Sequence, residues 1–199
     1  MKAVITGDII NSRSTDAKDW LEILQAVLNA YGTQPISWEI YRGDSFQLML
    51  TAEDAITAGF HIKAAIKQID QLDVRLSIGL GDIDFESGKI TTSNGTAFVR
   101  SGEGFEALKK QNMLVCSGDE NFDHSINTML GLALYIANRW TATVSTVIRT
   151  VIEHPDKKQK ELAKMLDKSQ SNISESLKRG GFDEIMAMNN YYKSEILRL

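Results

Sequence analysis

The chain has 199 residues, 43% of them hydrophobic and 24% charged, which suffices for the core of one large domain or two small ones. Its net charge is −4, and its only cysteine, Cys116, excludes an internal disulfide and a cysteine-based zinc site. No apolar run approaches the ~20 residues that span a membrane, and the segment after Met1 lacks a signal-peptide pattern, so we expect a cytoplasmic protein without a membrane partner.

Strand and helix patterns alternate through the first 118 residues. In chain order, the sequence predicts a strand at 2–10, a helix at 16–31, strands at 36–41 and 45–51, a helix at 51–69, a strand at 74–83, a loop at 85–95, a helix at 102–111 and a strand at 113–116. The order strand, helix, hairpin, helix, strand is that of a split βαβ sheet. We therefore predict a ferredoxin-like domain over residues 1–118.

Beyond this segment the strand pattern stops and helical periodicity continues to the end of the chain. Residues 117–123 are polar and contain a glycine, which we interpret as the domain boundary. Helices are predicted at 126–140, 143–153 and 183–197, with two shorter ones between residues 159 and 177. The fold class is thus α+β, with an all-α C-terminal domain over residues 124–199.

Two aspartates are predicted to meet at one end of the sheet. Asp8 lies near the end of the first strand in TGDII, and Asp44 lies at the tip of the hairpin in YRGDSF. Because the first strand of a split βαβ sheet lies beside the hairpin, the two carboxylates can converge. Carboxylates together with substrate phosphates are the usual ligands of Mg²⁺. The pair therefore predicts a site for Mg²⁺ or Mn²⁺ with a bound nucleotide.

The segment that follows Asp8 is the predicted phosphate-binding loop, with backbone N–H donors and an arginine as counter-charge. Its residues are Ile9, Ile10, Asn11, Ser12 and Arg13. The alternative is purely structural, because Gly-Asp is a common turn pair and Asp44 could simply shape the hairpin.

Residues 159–177, QKELAKMLDKSQSNISESL, predict a helix-turn-helix. Ser169 suits the N-cap of the second helix, and Asp167 takes the turn position where glycine is usual. The residues predicted to face inward are Leu162, Ala163, Met165, Leu166, Ile173 and Leu177. The alternative is a pair of amphipathic helices that never contacts DNA.

The exposed start of the second helix is the predicted reading surface for double-stranded DNA. Base contacts are predicted for Gln170, Ser171, Asn172 and Ser174. Phosphate contacts are predicted for Lys157, Lys160, Lys168, Lys178 and Arg179. Residues 157–179 carry seven basic and three acidic side chains in a chain that is acidic overall. A homodimer is expected, because one such motif reads too few base pairs.

Three motifs of the N-terminal half resemble those of class III nucleotidyl cyclases. TGDII resembles their first metal-binding motif, YRGDSF resembles their second and the hairpin of GGDEF domains, and RLSIGLGDID is similar to their glycine-bearing strand. With the helix-turn-helix segment, the chain is similar to the SatD family, a bacterial family that joins a cyclase-like palm domain to such a tail. The resemblance implies a divalent cation on Asp8 and Asp44.

The sequence departs from the cyclase pattern where the transition state is stabilised. Cyclases carry an Asn and, four residues later, an Arg on the helix after the glycine-bearing strand. Aligning Gly95 with the glycine that opens that motif puts Val99 and Glu103 at these places, and neither stabilises phosphate charge. No base-selecting Lys/Asp pair is found.

We therefore predict a DNA-binding transcriptional regulator whose degenerate cyclase-like domain senses a nucleotide with a divalent cation. The alternative is an active nucleotidyl cyclase, or a related phosphoryl-transfer enzyme, that uses Asp8 and Asp44. A third possibility is that the C-terminal segment is a protein-interaction module.

Overall fold

The central strand of the fold is β1 (Lys2–Ile10), whose run of Val, Ile and Ala favours a strand covered on both faces. The structure, a computed structural model, describes residues 1–109 and 111–199. It is an α+β protein with a five-stranded mixed sheet, which also contains β2 (Trp38–Tyr41), β3 (Ser45–Thr51), β4 (Asp73–Gly81) and β5 (Met113–Cys116). These bounds confirm the strands predicted at 2–10, 45–51 and 113–116.

The strand order in the sheet is β2-β3-β1-β4-β5. Strand β1 is antiparallel to both of its neighbours, β3 and β4. Strand β2 forms the predicted hairpin with β3, whereas β5 runs parallel to β4. This order places the end of β1 directly beside the hairpin turn.

The described residues contain eight α-helices. They are α1 (Ala17–Asn29), α2 (Ala55–Ile66), α3 (Thr96–Ala107), α4 (Glu120–Ala137), α5 (Ala142–Glu153), α6 (Gln159–Met165), α7 (Gln170–Gly180) and α8 (Phe182–Ile196). Within the residues that the structure describes, none of these helices has both the length and the apolar character needed to cross a membrane.

The two faces of the sheet pack against different helices. On one face, Ala3, Ile5 and Ile9 of β1 belong to the main hydrophobic core, which also includes residues of α1, α2, α4, α5 and α8. On the other face, Val4 packs with Ala97 and Phe98 of α3 in a smaller cluster. Because successive side chains of a strand alternate between faces, Asp8 lies on the α3 face with Val4.

Two helices begin about six residues earlier than their sequence patterns predict. Helix α3 starts at Thr96 rather than at 102, and a contact with the residue after β4 fixes this start, because the Thr96 hydroxyl accepts from the Asp82 N–H at 2.9 Å. Gly104 lets α3 approach the sheet, since a Cβ there would lie 2.4 Å from the Ser77 hydroxyl. Helix α4 starts at Glu120 rather than at 126, because the Asp119 side chain caps it by accepting from the Phe122 N–H at 2.8 Å.

The C-terminal helices pack directly against the sheet-bearing half. The Tyr192 hydroxyl of α8 donates to the carbonyl of Ala52 at 2.7 Å, and the Asn189 amide donates to the Thr57 hydroxyl at 3.0 Å. The main hydrophobic core accordingly runs from Ala3 to Ile196. The division into segments 1–118 and 124–199 remains a prediction about sequence organisation, and the two segments share one core.

Candidate functional site

The sheet brings Asp8 and Asp44 to the same end. Asp8 is opposite Ser45 in the β1–β3 ladder, and the Ile9 N–H donates to the Asp44 carbonyl oxygen at 3.3 Å. The hairpin turn before Asp44 has positive φ at Arg42 (52°) and at Gly43 (91°). Gly43 adopts that conformation without steric cost, so the RGD turn fixes Asp44 beside the end of β1.

Both carboxylates of this pair, hereafter the Asp8–Asp44 site, already have partners within the chain. Arg75 of β4 binds both oxygens of Asp8: its Nε donates to Oδ1 at 3.0 Å and its Nη2 donates to Oδ2. The Ser12 hydroxyl donates to Oδ2 of Asp44. The guanidinium of Arg75 also lies 5.4 Å from the centre of the Phe105 ring on α3. Arg75 is therefore held by an anion on one side and an aromatic face on the other.

The charges of the site act on Arg75 most strongly through Asp8. The hydrogen bond to Asp8 raises the pKa of Arg75 above its ordinary value, and the charge of Asp44 adds a smaller contribution in the same direction. Asp8, Asp44 and Arg75 together carry one net negative charge, but the exposed side chains of Arg13 and Arg42 lie in the two turns at this end of the sheet. A free cation therefore meets an environment that is already neutralised, whereas an anionic ligand with its own cation does not.

The predicted phosphate-binding segment forms the connection from β1 to α1. The side chain of Ile9 is buried in the main core, and Ile10 ends β1 opposite Asp73. Asn11 adopts a left-handed conformation, with φ of 61°, and its amide donates to the Gln71 carbonyl at 2.9 Å. Ser12 begins a single 3₁₀ turn that also contains Arg13, whose side chain is exposed.

Of the predicted N–H donors in this segment, that of Ile9 already bonds to the Asp44 carbonyl. Ile10 lies in the β1–β4 ladder opposite Asp73, which leaves Asn11, Ser12 and Arg13 as the residues of this segment that lie outside the sheet.

The oxygen donors of the Asp8–Asp44 site fit the chemistry of Mg²⁺ or Mn²⁺, which take carboxylates, hydroxyls and water. In the part of the chain that the structure describes, no group of three or more His, Cys, Asp or Glu side chains could hold a metal ion. A cation here would thus need water or ligand oxygens in addition to the two aspartates. It would also have to displace Arg75 from Asp8.

The second predicted site is formed by α6 and α7. The turn between these helices contains Asp167 where glycine is usual, and Asp167 nevertheless adopts a left-handed conformation, with φ of 50°. The Lys168 N–H donates to the Ala163 carbonyl at 2.9 Å, which is the bond of a Schellman motif. Ser169 caps α7 as predicted, because its hydroxyl accepts from the Asn172 N–H at 3.1 Å.

A small apolar cluster holds α6 and α7 against α5. Ala163 and Ile173 are buried against Val147 of α5, with Leu166 and Leu177 packed at the edge. Gly180 lets α7 approach α5, since a Cβ there would lie 2.5 Å from Cδ1 of Ile148. The inward position predicted for Met165 is wrong: this side chain is 48% exposed, because the short helix α6 ends there and turns it away from α7.

The polar residues predicted to contact DNA lie on the surface of the α6–α7 unit. The exposed members are Gln170, Ser171, Asn172, Ser174, Lys157, Lys160, Lys178 and Arg179, and Lys168 is half-buried. The buried residues of α7 are Ile173, Ser176 and Gly180, which follow a spacing of three to four and define the opposite side of the helix. The outward side of α7 is thus polar along its whole length.

Two residues of these sites were missed at the level of sequence. Arg75 is the only charged residue inside the apolar run of β4, and this was the available signal for its role. Glu175 is exposed on the outward side of α7, among the residues predicted to contact DNA. Its carboxylate makes that surface less uniformly basic than the net charge of the segment indicates.

These observations define an α+β protein with a five-stranded mixed sheet and a helical C-terminal half. Comparison with protein families then assigns it further: the model of the SatD family matches residues 2–194, and the chain belongs to that family. No curated protein and no solved structure matches the chain.

Proposed function

We propose that this SatD family protein is a DNA-binding transcriptional regulator in which α6 and α7 form a helix-turn-helix. The observation that carries the proposal is the exposed polar start of α7, held by the Ser169 cap and the α5–α7 packing. Gln170 and Asn172 can each donate and accept hydrogen bonds at base edges in the major groove. A rigid helix with such a surface is what direct readout of a duplex requires.

The charges around α7 support an approach to the phosphate backbone. Lys157 lies just before the N-cap of α6, Lys160 lies in its first turn, and Lys178 and Arg179 lie in the last turn of α7. Exposed positive charges before and after the exposed start of α7 are suited to phosphate contacts. Glu175 between them repels phosphate but can accept a hydrogen bond from a cytosine amino group. Glu175 would therefore weaken binding to DNA of arbitrary sequence and favour sites that place a cytosine opposite it.

We further propose that the N-terminal half is a ferredoxin-like domain of the cyclase type. The order β2-β3-β1-β4, with antiparallel neighbours, supports this assignment. In this proposal Asp8 and Asp44 hold Mg²⁺ or Mn²⁺ with a nucleotide, and Ser12 and Arg13 face its phosphates. The domain senses the nucleotide without turning it over, because Val99 and Glu103 are both exposed and supply no positive charge.

The regulator would act in the cytoplasm as a homodimer. A two-fold dimer presents two reading helices to successive turns of one face of the duplex, which supplies the specificity that one helix lacks. In the main core, α8 connects the helical half to the sheet-bearing half through Tyr192. This contact joins α8 to the end of β3 that is opposite the Asp8–Asp44 site, so a signal from bound nucleotide would have to pass along the sheet.

The test of the DNA-binding proposal is fluorescence anisotropy with labelled genomic fragments over a range of salt concentrations. We expect binding of two chains per site, with an affinity that falls steeply as salt increases. Asn172→Ala should reduce affinity for the preferred fragment about tenfold and leave binding to unrelated DNA unchanged. The matched control is Asn190→Ala, since Asn190 is exposed on α8. Absence of binding at low salt would refute the proposal.

A second candidate function is nucleotidyl cyclisation or a related phosphoryl transfer, and the adjacency of Asp8 and Asp44 favours it. In this case the chain should convert ATP or GTP to a cyclic nucleotide with release of pyrophosphate, or to another phosphoryl-transfer product, when Mg²⁺ or Mn²⁺ is supplied. Asp44→Ala should abolish product formation, because it removes one of the two oxygen ligands. Chromatography of the nucleotide products decides this: no product with either nucleotide and either cation would exclude the enzyme.

A further inference from the structure

We infer that Arg75 makes the Asp8–Asp44 site selective for a metal–nucleotide complex over a free divalent cation. The inference rests on the proposed nucleotide site. In the structure, the guanidinium of Arg75 takes the place on Asp8 that a cation would need. A cation can enter only if Arg75 leaves, and Arg75 leaves readily only if the incoming ligand offers it another anion.

The geometry of Arg75 explains why the cation and the guanidinium exclude one another. The two hydrogen bonds to Asp8 are parallel and use both carboxylate oxygens. Asp8 is mostly shielded from solvent, with 17% of its side chain exposed, so water screens the repulsion between two cations on this carboxylate only partly. A free cation therefore competes with a resident positive charge rather than meeting an open anionic site.

A polyphosphate changes this balance because it brings its own negative charge. The side chain of Arg75 is 44% exposed, so the guanidinium can move away from Asp8 into solvent without disturbing the packing of the hydrophobic core. Phosphate oxygens accept the same paired hydrogen bonds from a guanidinium that Asp8 accepts now. The cation then takes the two aspartates while Arg75 takes the phosphates, and every charge keeps a partner.

The experiment compares wild type with Arg75→Gln in two binding assays on the full chain. The first assay titrates Mn²⁺ alone and measures the free ion by its electron paramagnetic resonance signal. The second titrates a fluorescent, non-hydrolysable nucleoside triphosphate at saturating Mn²⁺. We expect Arg75→Gln to bind Mn²⁺ about tenfold more tightly and the nucleotide about tenfold more weakly, since coupling between ligands typically has this size.

Three further variants make the test specific. Lys18→Gln removes an exposed positive charge from the first turn of α1, outside the Asp8–Asp44 site, and it should change neither affinity by more than about twofold. Arg75→Lys keeps the charge and should keep most of the exclusion of free Mn²⁺. Asp8→Asn should abolish Mn²⁺ binding in both the wild-type and the Arg75→Gln background. Thermal melts followed by circular dichroism confirm that each variant is folded.

The outcomes separate this inference from the function on which it rests. Suppose that wild type binds the Mn²⁺–nucleotide complex, but that Arg75→Gln changes the affinities for Mn²⁺ and for the nucleotide in the same direction, or changes neither. The proposed role of Arg75 is then refuted, and the nucleotide site remains. If wild type binds no nucleotide at saturating Mn²⁺, the nucleotide site and the inference are both refuted. The DNA titration is independent of either result.

Discussion

Replacing Asp73 with asparagine is expected to lower the free energy of unfolding by about 3 to 5 kcal/mol, because it leaves a buried ammonium group without its counter-charge. Lys63 of α2 is fully buried, and its Nζ lies 2.6 Å from Oδ1 of Asp73 at the start of β4. Lys67 lies 3.4 Å from the other oxygen of the same carboxylate. Asparagine keeps the shape of the side chain but removes the charge that both lysines face.

The pH dependence of this deficit follows from the ionisation of Lys63. Burial lowers the pKa of Lys63 to about 8, and the charge of Asp73 opposes that shift. Without Asp73 the pKa of Lys63 in the folded state falls further, while its pKa in the unfolded state stays at about 10.4. In the variant, Lys63 therefore loses its proton at a lower pH than in wild type. The neutral amine no longer needs a counter-charge, so the loss of stability becomes smaller as the pH rises. The deficit should be larger at about pH 6 than at about pH 8.

Urea denaturation of four proteins at both pH values checks this prediction. Asp70→Asn is the matched control, since Asp70 is exposed three residues earlier, and it should change stability by less than about 0.5 kcal/mol. The double variant Lys63→Met with Asp73→Asn should recover most of the loss, because it removes the buried charge as well. If Asp73→Asn is as stable as Asp70→Asn, the buried ion pair does not contribute the expected stability.

The parts of the fold that the sequence predicted well are those specified by local patterns. The strand at 2–10 and the hairpin strand at 45–51 have clear apolar runs bounded by turn residues, and their bounds were confirmed. The predicted start of α3 was wrong because it depends on a long-range contact, the hydrogen bond from the Asp82 N–H to the Thr96 hydroxyl. The predicted start of α4 was wrong although its signal is local, since Asp119 is an ordinary N-cap residue. The close approach of Gly104 to Ser77 is invisible in sequence.

The candidate sites show the same division between local and long-range information. The Ser169 cap is a short-range feature and was predicted correctly, whereas Asp167 departs from the glycine that is usual at its position and still adopts the left-handed conformation. The pairing of Arg75 with Asp8 joins residues 67 positions apart in the sequence, and only the register of β1 with β4 brings them opposite one another. The sequence analysis therefore identified the carboxylates of Asp8 and Asp44, but not the guanidinium of Arg75 that is hydrogen-bonded to Asp8.

Reversing the two charges in the last turn of α7, with Lys178→Glu and Arg179→Glu together, should weaken DNA binding about a hundredfold at low salt. Both side chains are exposed, and neither has an ion-pair partner in the described part of the chain. Each lost phosphate contact should lower the salt slope of log affinity by about 0.9. The new carboxylates add repulsion from the same phosphates, so the loss exceeds that of neutral substitutions.

A global change in charge must be separated from the loss of contacts at α7. The control is Lys2→Glu with Lys18→Glu, which changes the net charge from −4 to −8 as the test variant does, but at exposed positions of the sheet-bearing half. Anisotropy titrations at several salt concentrations should show nearly wild-type affinity and slope for the control. If both variants lose affinity equally, long-range charge alone accounts for binding. The proposed contact of α7 with DNA would then be wrong. If α7 lies in the groove, charges on α7 interact with the phosphates far more strongly than distant charges, which salt screens.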